Sequence, residues 1–411
     1  MNRDAPDATR EATGEPLPPR QGGDRGGPGR PAVPLSLYVH FPWCVQKCPY
    51  CDFNSHPLRG ALPEDAYVDA LLRDLDFELA EGERRPLISI FMGGGTPSLF
   101  SDRSIGRLLE QVSRRLPFSK DIEITLEANP GTAEAGHFRG YRAAGVNRLS
   151  MGIQSLDDGQ LKRLGRIHDA AEAVQAYASA RDAGFDNINL DLMYALPQQD
   201  LAGALADLDG LIALQPEHLS WYQLTLEPNT AFGANPPPVP DDDTGWAMQE
   251  AGQQRLAAAG YAQYEISAYA RGGRQSRHNR NYWEFGDYLG IGAGAHGKST
   301  AAAPFAIRRR ARHKHPRHYQ QHAGGAAALQ TQQSVPAAER PFEFMMNALR
   351  LNEGFAPALY ASRTGLVWDP QTPAVQGAQQ RGLLEADGQT VRPTALGRRY
   401  LNGLLQLFLD P

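Results

Sequence analysis

Three cysteines within eight residues constrain this chain more than any other feature. Cys44, Cys48 and Cys51 are its only cysteines, and their spacing is C-x3-C-x2-C. A short apolar run, Leu35–Phe41, leads into them and predicts a strand. Three thiolates on one tight loop suit a four-iron cluster, because thiolate is the ligand that iron–sulfur clusters use. Three ligands for four irons leave one iron open, so the loop predicts a catalytic or ligand-binding site.

Zinc and disulfides explain these cysteines less well. A structural zinc ion takes four ligands in a closed tetrahedron, and the fourth would have to be His40, His56 or a more distant histidine. The spacing matches no common zinc module. Three cysteines cannot all pair as disulfides, and nothing in the sequence indicates secretion. Iron–sulfur ligation is therefore the prediction.

The composition predicts a globular protein without attraction to polyanions. The chain has 411 residues, of which 41% are hydrophobic and 21% charged, and its formal net charge is −5. These values indicate more than one domain and no nucleic-acid partner. No apolar run approaches the ~20 residues that span a bilayer, and the N-terminus lacks the apolar core of a signal peptide. We therefore expect a cytoplasmic protein with no transmembrane segment.

Strand and helix patterns alternate from Leu35 onward. Six strands are predicted, at 35–41, 87–92, 122–127, 148–153, 188–193 and 219–224, with helices at 64–79, 104–116, 133–144, 170–183 and 201–214. Repeated strand-then-helix units indicate an α/β fold with a parallel sheet and right-handed crossovers. Six strands are too few for a closed eight-stranded barrel, so we expect an open one. Ligands of such sheets bind at the carboxyl ends of the strands.

Four regions are predicted along the chain. Residues 1–34 contain many Pro, Gly and charged residues and few large apolar ones, so they should be disordered. Residues 35–235 should form the partial barrel. Residues 236–333 should extend it, and residues 334–411 should form a small C-terminal domain.

Three segments of the extension are expected to lack regular structure. Residues 276–283 and 290–297 are predicted to be loops, and residues 303–322 a surface connection. The last segment carries His313, His315, His318 and His322 among several arginines. Positive neighbours disfavour a bound cation, so we predict a solvated basic segment there.

Polar residues stand at the ends of the predicted strands. Gly94, Gly95 and Thr96 follow the second strand, where glycine lets the backbone approach a ligand and exposed N–H groups can hold a carboxylate. A glycine triplet also commonly marks a simple turn. Glu127 ends the third strand, and Asp191 lies in the fifth. Carboxylates there are costly unless they are paired or face a ligand, and the alternative is that they cap helices or form core ion pairs.

The cysteine motif after a first strand resembles that of the radical S-adenosylmethionine (SAM) superfamily. The flanking sequences YVHFP at 38–42 and CPYCDF at 48–53 resemble relatives of oxygen-independent coproporphyrinogen III dehydrogenase, and most of all the HemW-type heme chaperones. The resemblance runs from about Leu35 to the C-terminus. It implies a partial TIM-like barrel of about six βα units and a small winged-helix-like C-terminal domain.

The same resemblance implies a [4Fe-4S] cluster on the three cysteines, SAM at the open iron, and an electron donor. The implied chemistry is reductive cleavage of a sulfur–carbon bond of SAM. Carboxylates can hold the ribose hydroxyls of SAM, and arginine its carboxylate. The residues that align with SAM contacts are Tyr38, Tyr50, Gly94, Gly95, Thr96, Glu127, Gln154, Arg166 and Asp191.

Two features resemble the chaperone branch rather than the dehydrogenase. The dehydrogenase carries a further cysteine two positions after the third ligand, where this chain has Phe53. The segment HNRNYW resembles the H-N-x-x-Y-W signature of the chaperones. Imidazole can ligate heme iron, and aromatic rings can stack on a porphyrin, although the segment could also be a surface loop packed on the barrel rim. The candidate heme contacts are His278, Asn279, Tyr282 and Trp283.

Two functions therefore compete. The first is a heme chaperone that binds heme, the cluster and SAM and transfers heme to an unknown client protein. The alternative is a coproporphyrinogen III dehydrogenase, which forms protoporphyrinogen IX by oxidative decarboxylation. The three-cysteine site disfavours a simple electron carrier. His296 is a second candidate for heme, or could lie beside SAM.

Overall fold

The computed structural model describes residues 33–131 and 136–409. The predicted disordered tail lies outside the described residues except for its last two positions. The chain from Val33 onward forms one compact unit. The boundaries expected at residues 236 and 334 stay predictions.

A twelve-stranded sheet organises the described residues. Its spatial order is β12-β11-β10-β9-β1-β2-β3-β4-β5-β6-β8-β7. From β9 to β6 all neighbours are parallel, and both flanks are antiparallel. The sheet is open, as expected, and contains all six predicted strands. The strands are β1 (Leu35–Phe41), β2 (Leu87–Gly94), β3 (Phe118–Ala128), β4 (Arg148–Gln154), β5 (Ile188–Tyr194), β6 (His218–Gln223), β7 (Ala262–Gln263), β8 (Ala268–Ala270), β9 (Asp287–Ile291), β10 (His296–Ala302), β11 (Phe305–Arg312) and β12 (Leu329–Ser334).

Helices follow the parallel strands along the chain and connect them. Among the described helices, six starts carry an Asp or Ser whose side chain accepts a backbone N–H: Ser101, Asp157, Asp169, Asp200, Asp241 and Ser276. The helices are α1 (Glu64–Leu79), α2 (Asp102–Arg115), α3 (Phe138–Ala143), α4 (Asp158–Arg163), α5 (Ala170–Asp182), α6 (Leu201–Leu214), α7 (Ala231–Ala234), α8 (Asp242–Ala258), α9 (Arg277–Trp283), α10 (Pro316–His322), α11 (Arg340–Ala348), α12 (Pro357–Thr364), α13 (Pro373–Gln380), α14 (Ala395–Arg399) and α15 (Leu401–Gln406).

The loop predicted at 276–283 is wrong, because these residues form helix α9. The Ser276 side chain accepts the N–H of Asn279. The Glu123 carboxylate, on β3, accepts the backbone N–H groups of Arg277 and His278, each at 3.1 Å. A carboxylate at a helix N-terminus satisfies donors that have no partner within the helix. The partner comes from far away in sequence, so the local pattern did not reveal the helix.

The loop predicted at 290–297 is confirmed only in its centre: residues 292–295 form a turn, while 290–291 end β9 and 296–297 begin β10. The glycines that suggested a loop reflect close approach of the two strands. A Cβ at Gly290 would lie 1.8 Å from the carbonyl oxygen of His296, so only glycine fits there.

Residues 303–322, which were predicted to be a surface connection, instead contain strand β11 and helix α10. Arg310 and Arg312 are buried rather than solvated, because they form ion pairs with helix α1. Arg312 Nη2 lies 2.8 Å from Asp74 Oδ1, and Arg310 Nη1 lies 2.7 Å from Glu78 Oε2. A buried guanidinium is tolerated where it is paired in this way.

The last helices pack on a second apolar cluster, separate from the barrel core. It contains Phe344, Phe355 and Leu404 among its fully buried side chains. A two-stranded hairpin, Leu384–Ala386 with Val391–Pro393, stands beside these helices, as in the winged-helix-like domain that the resemblance implies. Within the described part of the chain, no helix is long and apolar enough to cross a membrane.

Candidate functional site

The carboxyl ends of the parallel strands converge on a cavity of about 350 Å³, which we call the main cavity. It gathers residues from the cysteine loop and from β2 through β6, which is where the strand order predicts a ligand site. The predicted site residues that line it are Cys44, Cys48, Tyr50, Cys51, Gly94, Gly95, Thr96, Glu127, Gln154, Arg166, Asp191 and Asn279.

The cysteine loop is pinned to the end of β2 by backbone hydrogen bonds. Gly95 N donates to Phe41 O at 2.6 Å, and Thr96 N donates to Trp43 O at 2.7 Å. A Cβ at Gly95 would lie 2.4 Å from Trp43 O, so this contact requires glycine. Residues 94–96 thus position the first cysteine as well as lining the cavity.

The three thiols face the main cavity from different depths. Cys44 is buried, whereas Cys48 and Cys51 are half-buried. Burial raises the pKa of the Cys44 thiol. Among the described residues, no three His, Cys, Asp or Glu side chains converge as ligands of one metal ion would. A four-iron cluster takes each thiolate on a different iron, so its ligands need not share one centre.

Two carboxylates stand side by side in the barrel interior. Glu127 Oε2 accepts the N–H of Gly94 at 3.0 Å, and Asp191 Oδ1 accepts Asn189 Nδ2 at 2.8 Å. Burial, together with the charge of Asp191, raises the pKa of Glu127 to about 7. Burial also raises the pKa of Asp191. Neither acid has an ion-pair partner within 4.0 Å among the described residues, so they are not the core ion pairs of the alternative interpretation.

Arg166 connects the cysteine loop to the strand ends. Its Nη2 donates to Asn129 Oδ1 at 2.8 Å and to Gly152 O at 2.7 Å, and its Nη1 lies 3.7 Å from Cys48 Sγ. Its Nε is buried and has no hydrogen-bond partner in the described structure. A buried N–H without a partner is costly, and a carboxylate in the main cavity would satisfy it.

Gln154 is held at the end of β4 in an uncommon backbone conformation. Its φ is 72°, and its Oε1 accepts the hydroxyl of Tyr222 at 2.9 Å. A positive φ in a non-glycine residue costs energy and is frequent at functional sites. The bend turns the Gln154 side chain into the main cavity.

Arg148 is a cavity residue that the sequence analysis missed. It begins β4, is 2% exposed and lines the main cavity, and its Nε has no hydrogen-bond partner among the described residues. Its charge lowers the pKa of Glu127 and Asp191, opposing the effect of burial on both. An arginine opening the apolar run LSMGI was the available signal, because a buried charge needs a nearby opposite charge or a ligand.

A second cavity of about 420 Å³, the side cavity, adjoins the main one and shares Phe53, Gly94 and Glu127 with it. Tyr38, a predicted SAM contact, lies here instead of in the main cavity. Its hydroxyl is 2.9 Å from His40 Nδ1. The other lining residues are His40, Asn54, Tyr282, Tyr288, Gly294, His296 and Lys314.

The four candidate heme contacts do not line one cavity. Asn279 lines the main cavity and Tyr282 the side cavity. Trp283 stacks under Arg350, whose guanidinium is 4.3 Å from the ring centre. His278 is 1% exposed, and its ring nitrogens lie 3.0 Å from Ser89 Oγ and 2.9 Å from the Tyr282 hydroxyl. For His278 to bind iron, one of these two hydrogen bonds would have to break.

The histidines of the basic segment form a short stack. The rings of His313 and His318 are 4.2 Å apart between centres, and those of His318 and His322 are 4.5 Å apart. No metal-binding group is found there among the described residues. The metal-free interpretation of this segment stays a prediction.

Comparison with known proteins decides the family. The family model of the radical SAM superfamily matches residues 38–208, and that of the HemN C-terminal domain matches residues 335–400. The heme chaperone HemW of Escherichia coli is 52% identical over 376 residues, covering 92% of this chain and 98% of its own. The chain belongs to the HemW family of radical SAM proteins. HemW of Bacillus subtilis is 32% identical, over 91% and 99% of the two chains.

Membership in the radical SAM superfamily implies a [4Fe-4S] cluster and SAM. This chain also resembles a solved enzyme in fold. Coproporphyrinogen III oxidase (HemN) from Escherichia coli, a radical SAM enzyme, superposes with a TM-score of 0.76 over 92% of this chain and 90% of its own, at 23% identity. At this level of sequence identity, the similarity shows that the two proteins share the open-barrel fold and nothing more.

Proposed function

We propose that this protein is a heme chaperone that binds heme, a [4Fe-4S] cluster and SAM and transfers heme to a client protein. The observation that carries the proposal is the convergence of the three cysteines, Arg166 and two buried carboxylates on one cavity, in a chain half identical to a named heme chaperone along nearly its full length. The client and the electron donor are unidentified partners.

The residues of the main cavity fit SAM beside a cluster. Cys44, Cys48 and Cys51 would hold three irons. The unpartnered Nε of Arg166 suits a carboxylate, and Glu127 and Asp191 suit an ammonium group and ribose hydroxyls. When bound, the cluster supplies the electron for SAM chemistry. The chain positions both groups at the carboxyl ends of the strands.

SAM affinity should rise with pH through neutrality. The pKa of Glu127 is about 7, so this carboxyl is protonated and neutral at pH 6 and ionised at pH 8. Only the ionised form attracts an ammonium group. We expect the affinity of the cluster-loaded protein for SAM to fall up to about tenfold per pH unit below 7, since one pKa unit corresponds to a factor of ten.

Equilibrium dialysis of SAM between pH 6 and pH 8 measures this dependence. The variant Glu127→Gln should bind SAM more weakly at pH 8 and show a flatter profile. A wild-type profile that is flat over this range would mean that Glu127 does not contact the ligand as a carboxylate. Iron content at each pH controls for loss of the cluster.

Heme binding is assigned to the side cavity, next to the HNRNYW segment. Tyr282 of that segment and Tyr38 supply aromatic surface there, and aromatic rings pack well on a porphyrin face. His278 holds Tyr282 in place through the hydrogen bond between ring and hydroxyl. In this proposal the segment shapes the heme site even though His278 itself is enclosed.

Heme titration together with a coproporphyrinogen III turnover assay tests the function. We expect stoichiometric heme binding and no sustained formation of protoporphyrinogen IX, since Phe53 stands where the dehydrogenase has its further cysteine. Turnover without heme binding would replace the chaperone by the alternative, a radical SAM decarboxylase. Both activities together would mean that the motifs do not separate the two branches in this chain.

A further inference from the structure

Three histidines are candidates for a heme ligand near the side cavity, and the structure distinguishes among them. His40 is enclosed: its Nδ1 is 2.9 Å from the Tyr38 hydroxyl and its Nε2 is 2.9 Å from Asn54 O. His278 is enclosed in the same way by Ser89 and Tyr282. Each has both ring nitrogens occupied, and an iron ligand must leave one nitrogen free.

His296 differs from both. It is exposed at the start of β10 and lines the side cavity. Across the described residues, no hydrogen bond or ion pair engages its ring nitrogens. His296 therefore combines access with an available nitrogen.

The surroundings of His296 suit a flat apolar ligand with acidic edges. Three tyrosines form an aromatic wall of the side cavity: Tyr38, Tyr282 and Tyr288. Phe53, which is 60% exposed, adds apolar surface to the same cavity. Lys314 lines the cavity and makes no ion pair among the described residues. The volume of about 420 Å³ lies within the usual range of small-molecule sites, about 300–1,000 Å³.

We propose that His296 is the axial ligand of the heme iron in the side cavity and that Lys314 pairs with a heme propionate. The assignment rests on the proposed heme-binding function and goes beyond it, because it moves the iron ligand from the HNRNYW segment to the start of β10. Tyr282 then contacts the porphyrin face, while His278 supports Tyr282 from behind.

Absorption spectra during heme titration of the cluster-loaded full chain test the assignment. His296→Ala should weaken heme binding at least tenfold or remove the spectrum of an imidazole-ligated heme, and free imidazole in the buffer should restore that spectrum. His278→Gln, which can retain hydrogen bonds to Ser89 and Tyr282, should keep it. His315→Ala is the matched control, because His315 is exposed and lines neither cavity. Lys314→Gln should weaken binding without changing the iron spectrum.

The outcomes separate this inference from the proposed function. If the wild type binds heme and His296→Ala behaves as the wild type does, the ligand assignment is wrong and the chaperone proposal stands. Loss of the imidazole spectrum in His278→Gln with His296→Ala unaffected would return the ligand to the HNRNYW segment. If the wild type binds no heme, both proposals fail together.

Discussion

Loss of the iron–sulfur absorbance is the expected result of changing any one of Cys44, Cys48 and Cys51 to alanine. The chain has no fourth cysteine that could take over, and thiolate is the required ligand. All three thiols face the main cavity, and the loop that carries them is pinned by Phe41 and Trp43. A substituted loop therefore cannot shift another thiol into the missing position.

Anaerobic reconstitution followed by iron and sulfide analysis measures this effect. We expect four irons per wild-type chain, in keeping with the cluster type that three cysteines of this spacing predict, and little stable iron in each single variant. Ser55→Ala is the control, since the Ser55 hydroxyl lies 3.6 Å from Cys51 Sγ without being an expected ligand. A triple alanine variant that keeps full iron and sulfide would overturn the interpretation of the loop.

The barrel was predictable because its strands and helices follow local hydrophobic periodicity. The bounds of Leu35–Phe41, Glu64–Leu79 and Leu201–Leu214 agree with the sequence patterns residue for residue. These elements bury apolar faces against one core, so their own sequences carry the signal. Parallel order then places the strand ends together, which is why most of the strand-end residues meet in one cavity.

The extension was mispredicted because its structure depends on distant partners. The sequence of β11 alone predicts a solvated basic segment. In the structure, Asp74 and Glu78 on α1 neutralise Arg310 and Arg312 of this strand. Helix α9 similarly needs the carboxylate of Glu123 on β3. Neither pairing is visible in a local window, since the partners lie more than 150 residues away.

The same limit applies to individual site residues. Period-two alternation indicates that Tyr38 points to the barrel interior, but the neighbouring loops decide which of two adjoining cavities it faces. The enclosure of His278 depends on Ser89, far away on β2. Motif similarity can locate such a residue on the right element without showing whether its polar atoms are free.

SAM binding should weaken about 10- to 100-fold when Arg166 is changed to lysine. The guanidinium spans three groups, with Nη2 on Asn129 Oδ1 and Gly152 O and Nη1 near Cys48 Sγ, and its buried Nε has no hydrogen-bond partner in the described structure. A lysine keeps the charge but offers one compact ammonium in place of a planar fork. It cannot keep these contacts and also hold a carboxylate. Hydrogen bonds to charged groups contribute about 1.5–3 kcal/mol, which corresponds to that loss of affinity.

Equilibrium dialysis of SAM against cluster-loaded protein measures the change, and Arg163→Lys, an exposed arginine on α4, is the matched control. Because Arg166 is not an expected iron ligand, iron and sulfide should stay at wild-type levels in both variants. Equal SAM affinity in the two variants would show that Arg166 is a structural link between strand ends. If the cluster were lost along with SAM binding, the contact between Arg166 and Cys48 would be the dominant one. SAM binding weakened while the cluster is kept would support a contact between the Arg166 guanidinium and the carboxylate of SAM.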